Sequence, residues 1–343
     1  MNAPLVVVFL RGGLDGLSLL RPPGDELDRA RGDSALAAAV ALPVPGGWSL
    51  HPAASRLATR STAGHVAFVP ASGLPGASRS HFDAQAAVER CAPTTESTGF
   101  LGRALAAGRV GSSPFRGVAV GQPQTPAMLR GSTDVLAASS LSQIRLRPGA
   151  GVNQASMASL WSGDRGPLAA SATSALTSLG RITTIPVPPG ADDGEQLVAL
   201  FAADVGAEVG VINIGGWDHH DQIGVEDGAF ARLVEQLDRT IETLVAGIPG
   251  VTVLVLSEFG RRVAPNSSGG FDHGRGGLAI VAGERIRGGV LGDWPGLDDR
   301  VDGDVRTVND LRCVVAEIGE RVLGVDANRV APGAPSGRFG LFA

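Results

Sequence analysis

Short, mostly apolar runs recur along the chain at Leu5–Leu10 (LVVVFL), 66–69, Val209–Ile214 and 251–256. Runs of this length, closed by Gly or polar residues, suit strands buried on both faces of a sheet. Shorter runs at 118–120 and 278–281 predict two more strands. Between them the apolar period changes: Phe230, Leu233, Leu237, Ile241 and Leu244 recur at helical spacing over residues 225–246. Further helices are expected at 25–44, from His51-Pro52 to about Thr62, from Ser80 to Cys91, and over 98–107, 195–205 and 308–322. Ser80 with Asp83 three residues on has the pattern of a capping box. Residues 122–193 are Ser/Ala-rich, with helices expected at 154–161 and 168–179. That stretch reads as a helical insertion or cap within one α/β domain spanning 1–343. The tail, 326–343, is rich in Pro, Gly and Ala and predicts irregular structure. Strands alternating with helices imply a mainly parallel sheet covered on both faces.

Ligands of such sheets bind beyond the carboxyl ends of the strands. Asp15, Asp218 and Glu258 each follow an apolar strand within a few residues, which predicts one shared rim. The chain has six histidines, and three lie in the late motifs: His219, His220 and His273. Asp218 with its neighbouring histidines, and Asp272 with His273, offer mixed carboxylate and imidazole ligands for one or two divalent ions. Such a set suits Zn, Mn or Fe or, with fewer nitrogens, Mg or Ca. Ordinary structural roles compete at every position, since an Asp in a Gly-rich loop commonly shapes a turn. Arg11 and Arg261 are candidates for gripping an anionic oxygen. Ser80, at a helix start, is a candidate nucleophile beside its plain role as a cap. His81 is a candidate ligand or proton donor. His51 and His65 lack supporting neighbours and read as structural.

Composition narrows the function classes. The 343 residues are 43% hydrophobic and 18% charged, with a net charge of −5. That balance offers no footprint for nucleic acid or an anionic membrane. All basic residues are Arg and Tyr is absent, as high-GC codon usage would give. Cys91 and Cys313 lack metal spacing and read as buried small hydrophobes. With no leader or long apolar run visible, the expected location is cytoplasmic, or exported if a leader has been removed. The expected partner is a small anionic molecule, and a homo-oligomer is compatible with the sequence.

The strings FLRGGLDGLSLLRP, RSHFDAQ, NIGGWDHH, SEFGRRVAPNSSGGFDHGRGG and GGVLGDWPGL resemble a large uncharacterised bacterial family. Its members are often exported by twin-arginine leaders, and it is placed beside the alkaline phosphatase and sulfatase superfamily. The resemblance runs from about Leu5 to Val322. It implies a three-layer α/β/α sandwich, alkaline-phosphatase-like, with metal at the strand ends. It also implies that Asp15 is the carboxylate after the first strand and Ser80 the nucleophile. Asp218 with His220 would serve one metal, and Glu258 with Asp272 and His273 would complete two sites. Two positions depart from the family pattern: Arg275 stands where a second His follows the DHG triplet, and His219 where a small polar residue is usual.

These readings give a metal-dependent hydrolase or group-transfer enzyme acting on a phosphate or sulfate ester. One alternative is the same metal scaffold used for a lyase, isomerase or other non-hydrolytic reaction in a specialised biosynthetic pathway. The other is a catalytically silent binding protein, for which Arg275 is the support.

Overall fold

The computed structural model describes residues 3–108, 113–144, 154–163 and 166–343. Its centre is β1 (Leu5–Leu10), whose six side chains are all fully buried. Alternate residues of β1 point to opposite faces, so Val6, Val8 and Leu10 enter one core while Leu5, Val7 and Phe9 enter another. The remaining strands of the main sheet are β2 (Val66–Gly73), β3 (Gly117–Val120), β4 (Val135–Ala138), β5 (Val209–Ile214), β6 (Thr252–Ser257), β7 (Gly277–Ala282), β8 (Gly289–Val290) and β9 (Asn309–Asp310). They lie in the order β8-β2-β7-β6-β1-β5-β3-β4, with β9 also pairing β2. The sheet is mostly parallel; β7 alone runs against both of its neighbours.

Each face carries helices. On one, helices Ser55–Thr62, Asp193–Ala202 and Ala229–Gly247 supply Leu57, Leu197 and the apolar stripe Phe230, Val234, Leu237, Ile241 and Leu244. On the other, helices His81–Arg90, Phe100–Ala107 and Leu311–Arg321 supply Val88, Leu101 and Val314. The double covering explains why the central strands read as unbroken apolar runs. Among the described residues no helix is long and apolar enough to cross a membrane.

The reversal of β7 matters for function. The carboxyl ends of β1, β2, β5 and β6 share one edge of the sheet, and β7 starts at that same edge. The loop between β6 and β7 therefore leaves and re-enters the sheet at the rim, carrying Glu258 and His273 with it.

Three expectations are corrected. The helix expected over 25–44 is only Glu26–Arg31, ended by Gly32 at a φ of +53°. Downstream, Leu42–Pro43 pairs with Ser49–Leu50 in a small separate sheet. The stretch 122–193 is not wholly helical: it contributes the edge strand β4, before helices Gln154–Trp161 and Pro167–Thr183. Residues 145–153 and 164–165 of that expected insertion lie outside the described residues. Ser80 occupies the cap position of helix His81–Arg90, but its side chain makes no capping bond. The capping box that does form is Asp192 with Glu195.

Candidate metal centre

His81 opens the helix that follows β2 and its glycine-containing loop. Its Nδ1 lies 2.8 Å from Glu258 Oε1. An ionised carboxylate can only accept, so Nδ1 carries the proton and Nε2 presents a lone pair. That Nε2 is buried, has no hydrogen-bond partner among the described residues, and lies 3.3 Å from Asp218 Oδ2. His273 is oriented in the same way. Its Nδ1 is 2.8 Å from the Arg79 carbonyl oxygen, which again fixes the proton on Nδ1. His273 Nε2 then turns a lone pair to Asp218 Oδ1 at 3.2 Å. Ligand atoms of His81, Asp218 and His273 all lie within 4.8 Å of one another. Two imidazole lone pairs and a carboxylate thus converge without a proton between them, a donor set that fits a divalent cation.

His220 borders this group. Its Nε2 is 2.9 Å from His273 Nε2 and its Nδ1 is 3.1 Å from Asp272 Oδ1. A neutral imidazole has one N–H, so one of these contacts sets lone pair against lone pair. An added proton or a cation in the cluster relieves the conflict.

Asp218 is held ionised. Burial would raise its carboxyl, but the hydrogen bond and the charge of Arg261 outweigh that, leaving it at about 2. Arg261 is itself buried, and besides the 2.6 Å contact to Asp218 Oδ1 it donates to the carbonyls of Gly12, Gly13, Trp217 and Phe271. Glu258 is similarly built in. Its Oε1 accepts from Gly12 N–H and Gln85 Nε2, both at 2.9 Å, as well as from His81, and Oε2 accepts from Ser257 at 3.1 Å. Burial pushes its carboxyl up, but the bonds from Gln85, His81 and the backbone prevail and hold it below the ordinary value. Gly12 is required at its position: φ is +121°, and a Cβ there would sit 2.4 Å from Asp218 N.

The expected residues therefore separate by placement. His81, Asp218 and His273 meet, with His220 and Asp272 alongside. Glu258 orients His81 through the ring nitrogen facing away from the cluster, the usual place of an outer carboxylate at a metal site. Asp15, expected as a ligand, is instead buried in a two-point ion pair with Arg31 at 2.7 and 2.9 Å, and also accepts from Ser18. His219, also expected as a ligand, stays outside the cluster. It is half-buried with its ring edge-on to Phe230, and burial lowers its pKa. Neither arginine is free to grip an anion. Arg261 is used as above, while Arg11 binds Asn213 and Gln85, pairs with Glu89 at 2.7 Å, and lies over the Phe9 ring. Ser80 is exposed immediately before His81, its N–H donating to Ser78 Oγ. His51 is a buried structural residue, its Nε2 2.6 Å from the Val225 carbonyl. Cys91 and Cys313 are both buried and free.

Gln85 and Arg31 escaped the sequence reading. Gln85 had a usable signal: it lies four residues after His81 on one helix and so shares its face. Arg31 had none, because nothing local ties it to Asp15.

A family model described as "Protein of unknown function (DUF1501)" matches residues 61–341. The chain belongs to that family. No curated protein matches it. Among solved structures it is similar to a phosphonoacetate hydrolase from Sinorhizobium meliloti 1021, at 19% identity and a TM-score of 0.30, over 76% of this chain. The chain spans 57% of that enzyme's length. It is also similar to a 2-O GAG sulfatase, at 10% identity and a TM-score of 0.34, over 100% of this chain and 73% of the other. A cold-active alkaline phosphatase from a psychrophilic Shewanella sp. is similar at 10% identity and a TM-score of 0.27, over 76% and 68%. Likeness this distant leaves the site to be read from its own geometry.

Proposed function

We propose that this protein is a metal-dependent hydrolase acting on a phosphate or sulfate ester of a small molecule. The observation that carries the reading is the convergence of His81 Nε2, His273 Nε2 and the Asp218 carboxylate, with a buried unpartnered nitrogen among them. These three residues would hold the ion, with His220 at the margin. A divalent ion bound there supplies Lewis acidity toward an ester oxygen and lowers the pKa of a bound hydroxyl or water.

The chain's own groups prepare that chemistry. Glu258, fixed by Gly12 and Gln85, holds the His81 ring at one angle and in one tautomer. The Arg79 carbonyl does the same for His273. Arg261 keeps Asp218 ionised, so the carboxylate needs no deprotonation before it can act as a ligand. Ser80 is exposed beside His81 at a helix start, where backbone N–H groups and the helix dipole favour an attacking alkoxide over the neutral hydroxyl. His220, lying between Asp272 and His273, is placed to give a proton to a departing alkoxide.

Turnover of aryl phosphates and aryl sulfates by metal-loaded protein tests the reading. Activity with one ester class is expected, abolished by His273→Ala and reduced by Ser80→Ala. A protein that binds stoichiometric metal yet turns over neither class rejects ester hydrolysis and leaves the non-hydrolytic use of the same scaffold.

A further inference from the structure

Three arginine side chains left unused by the metal centre gather around one buried carboxylate. Arg79 lies two residues before His81, Arg262 follows Arg261, and Arg275 is two residues after His273. All three face Asp304, whose side chain is fully buried. Arg79 makes the hydrogen bond to it. The other approaches are looser: Arg275 Nε is 3.5 Å and Arg262 Nε 3.8 Å from Asp304, while Arg79 and Arg275 both stand 3.6 Å from the exposed Asp302. Those are ion-pair distances beyond a good hydrogen bond. The Nε atoms of Arg79 and Arg275 and Asp304 Oδ1 are buried without hydrogen-bond partners among the described residues. Among the described residues Arg275 otherwise reaches the Ala77 carbonyl, at 3.4 Å. Three guanidinium charges face two carboxylates, one of them largely in solvent, so the cluster keeps positive charge and unspent N–H donors.

The cluster also adjoins open space. A cavity of about 240 Å³ is lined by Arg275, but not by Arg79 or Arg262, and by Arg306, Glu258 and Phe259, so it reaches the cluster at Arg275. Arg306 is committed to Asp299 at 2.6 Å, so among the described residues lining that space Arg275 is the cation left to face it. Guanidinium groups converging from different loops match the geometry of an oxyanion with several acceptor atoms.

We propose that Arg79, Arg262 and Arg275 form an oxyanion subsite beside the metal centre, which receives a sulfate, phosphate or carboxylate group of the substrate away from the bond that is cleaved. The preferred substrate then carries two anionic groups, one at the metal and one at the arginines. That the anion belongs to an ester substrate rests on the hydrolase reading; the subsite itself does not.

Calorimetric titration of EDTA-stripped protein with sodium sulfate and sodium phosphate at low ionic strength tests the subsite apart from catalysis. Stripped wild type is expected to bind one of these anions, and Arg262→Gln and Arg275→Gln should each weaken binding about tenfold, as loss of charged hydrogen bonds does. Both side chains are partly exposed, at 41% and 34%, so both variants should fold. His273→Ala should leave anion binding intact. Absence of binding by stripped wild type, or arginine variants that bind equally well, overturns the proposal. So does loss of binding in His273→Ala alone, which would assign the anion to the metal centre. Anion binding that follows the arginines in a protein without ester turnover keeps the subsite and rejects the hydrolase reading.

Discussion

Replacing Asp15 by Asn separates the structural role found for that carboxylate from the ligand role expected of it. Asp15 and Arg31 are both buried, with side-chain exposures of 2% and 0%, and are joined at two points. Arg31 also donates to Ser18, Val263 and Arg262 and stacks on the Phe271 ring at 3.8 Å. Removing one partner of a buried pair typically costs about 3–5 kcal/mol, because the other charge is left uncompensated. Arg31 keeps several carbonyl and hydroxyl acceptors, which places Asp15→Asn near about 3 kcal/mol. Each kcal/mol moves the melting temperature by roughly 2 °C in a chain this long, so a fall on the order of 5–10 °C is expected by calorimetry. The double variant Asp15→Asn/Arg31→Met should lose less than the sum of the two singles, by on the order of 2 kcal/mol. The pH dependence has a definite sign. Burial alone would raise the Asp15 carboxyl, but the charge and hydrogen bonds of Arg31 and the bond from Ser18 depress it below 3.8. A depressed carboxylate contributes stability that is complete above the unfolded pKa and lost as pH falls through the folded one. The gap between wild type and Asp15→Asn should therefore be constant at neutral pH and close below about pH 4. Metal affinity should not change. An unchanged melting temperature together with lost metal binding would refute the ion-pair assignment and restore Asp15 as a ligand.

Two other outcomes follow from the same geometry. Glu258→Met keeps the length of the side chain but removes the acceptor that fixes His81 Nδ1–H. Metal affinity measured by titration should fall about 10- to 100-fold, and an affinity equal to wild type would show that Glu258 does not orient the ring. Burial pushes the Cys91 thiol up to about 12, so it should stay unmodified by a thiol reagent at pH 8 in the folded protein and react only on unfolding. Rapid labelling of native Cys91 would contradict its burial.

The frame of the fold was legible because its central strands are buried on both faces. LVVVFL has no face on which a polar residue could stand, and β1 begins and ends where that run does. The rim was legible for a related reason, since Asp218 and Glu258 break off abruptly from apolar strands. The direction of β7 was not, because the pattern GLAIVA reads the same in either orientation. Yet that reversal brings His273 to the rim from the strand's leading end. The division of labour among the acidic groups was equally hidden. Asp15, Asp218 and Glu258 look alike in sequence, and their roles separate only through tertiary partners: Arg31 neutralises the first, Arg261 holds the second toward the cluster, and Gln85 with His81 claims the third. Arg11 and Arg261 offered the right chemistry for an anion, but buried carbonyl, amide and carboxylate acceptors consume it. Of the arginines that remain available, Arg262 had no distinguishing signal in the sequence, and Arg275 stood out only as a departure from the family pattern.

Elemental analysis with calorimetric titration of Zn²⁺ and Mn²⁺ into EDTA-stripped wild type, His81→Ala and His273→Ala addresses the metal centre most directly. One tightly bound ion per chain is expected in wild type, with binding lost or weakened at least about tenfold in each variant while the fold survives. Absence of stoichiometric metal in wild type after reconstitution, or full retention in both histidine variants, would contradict the metal centre.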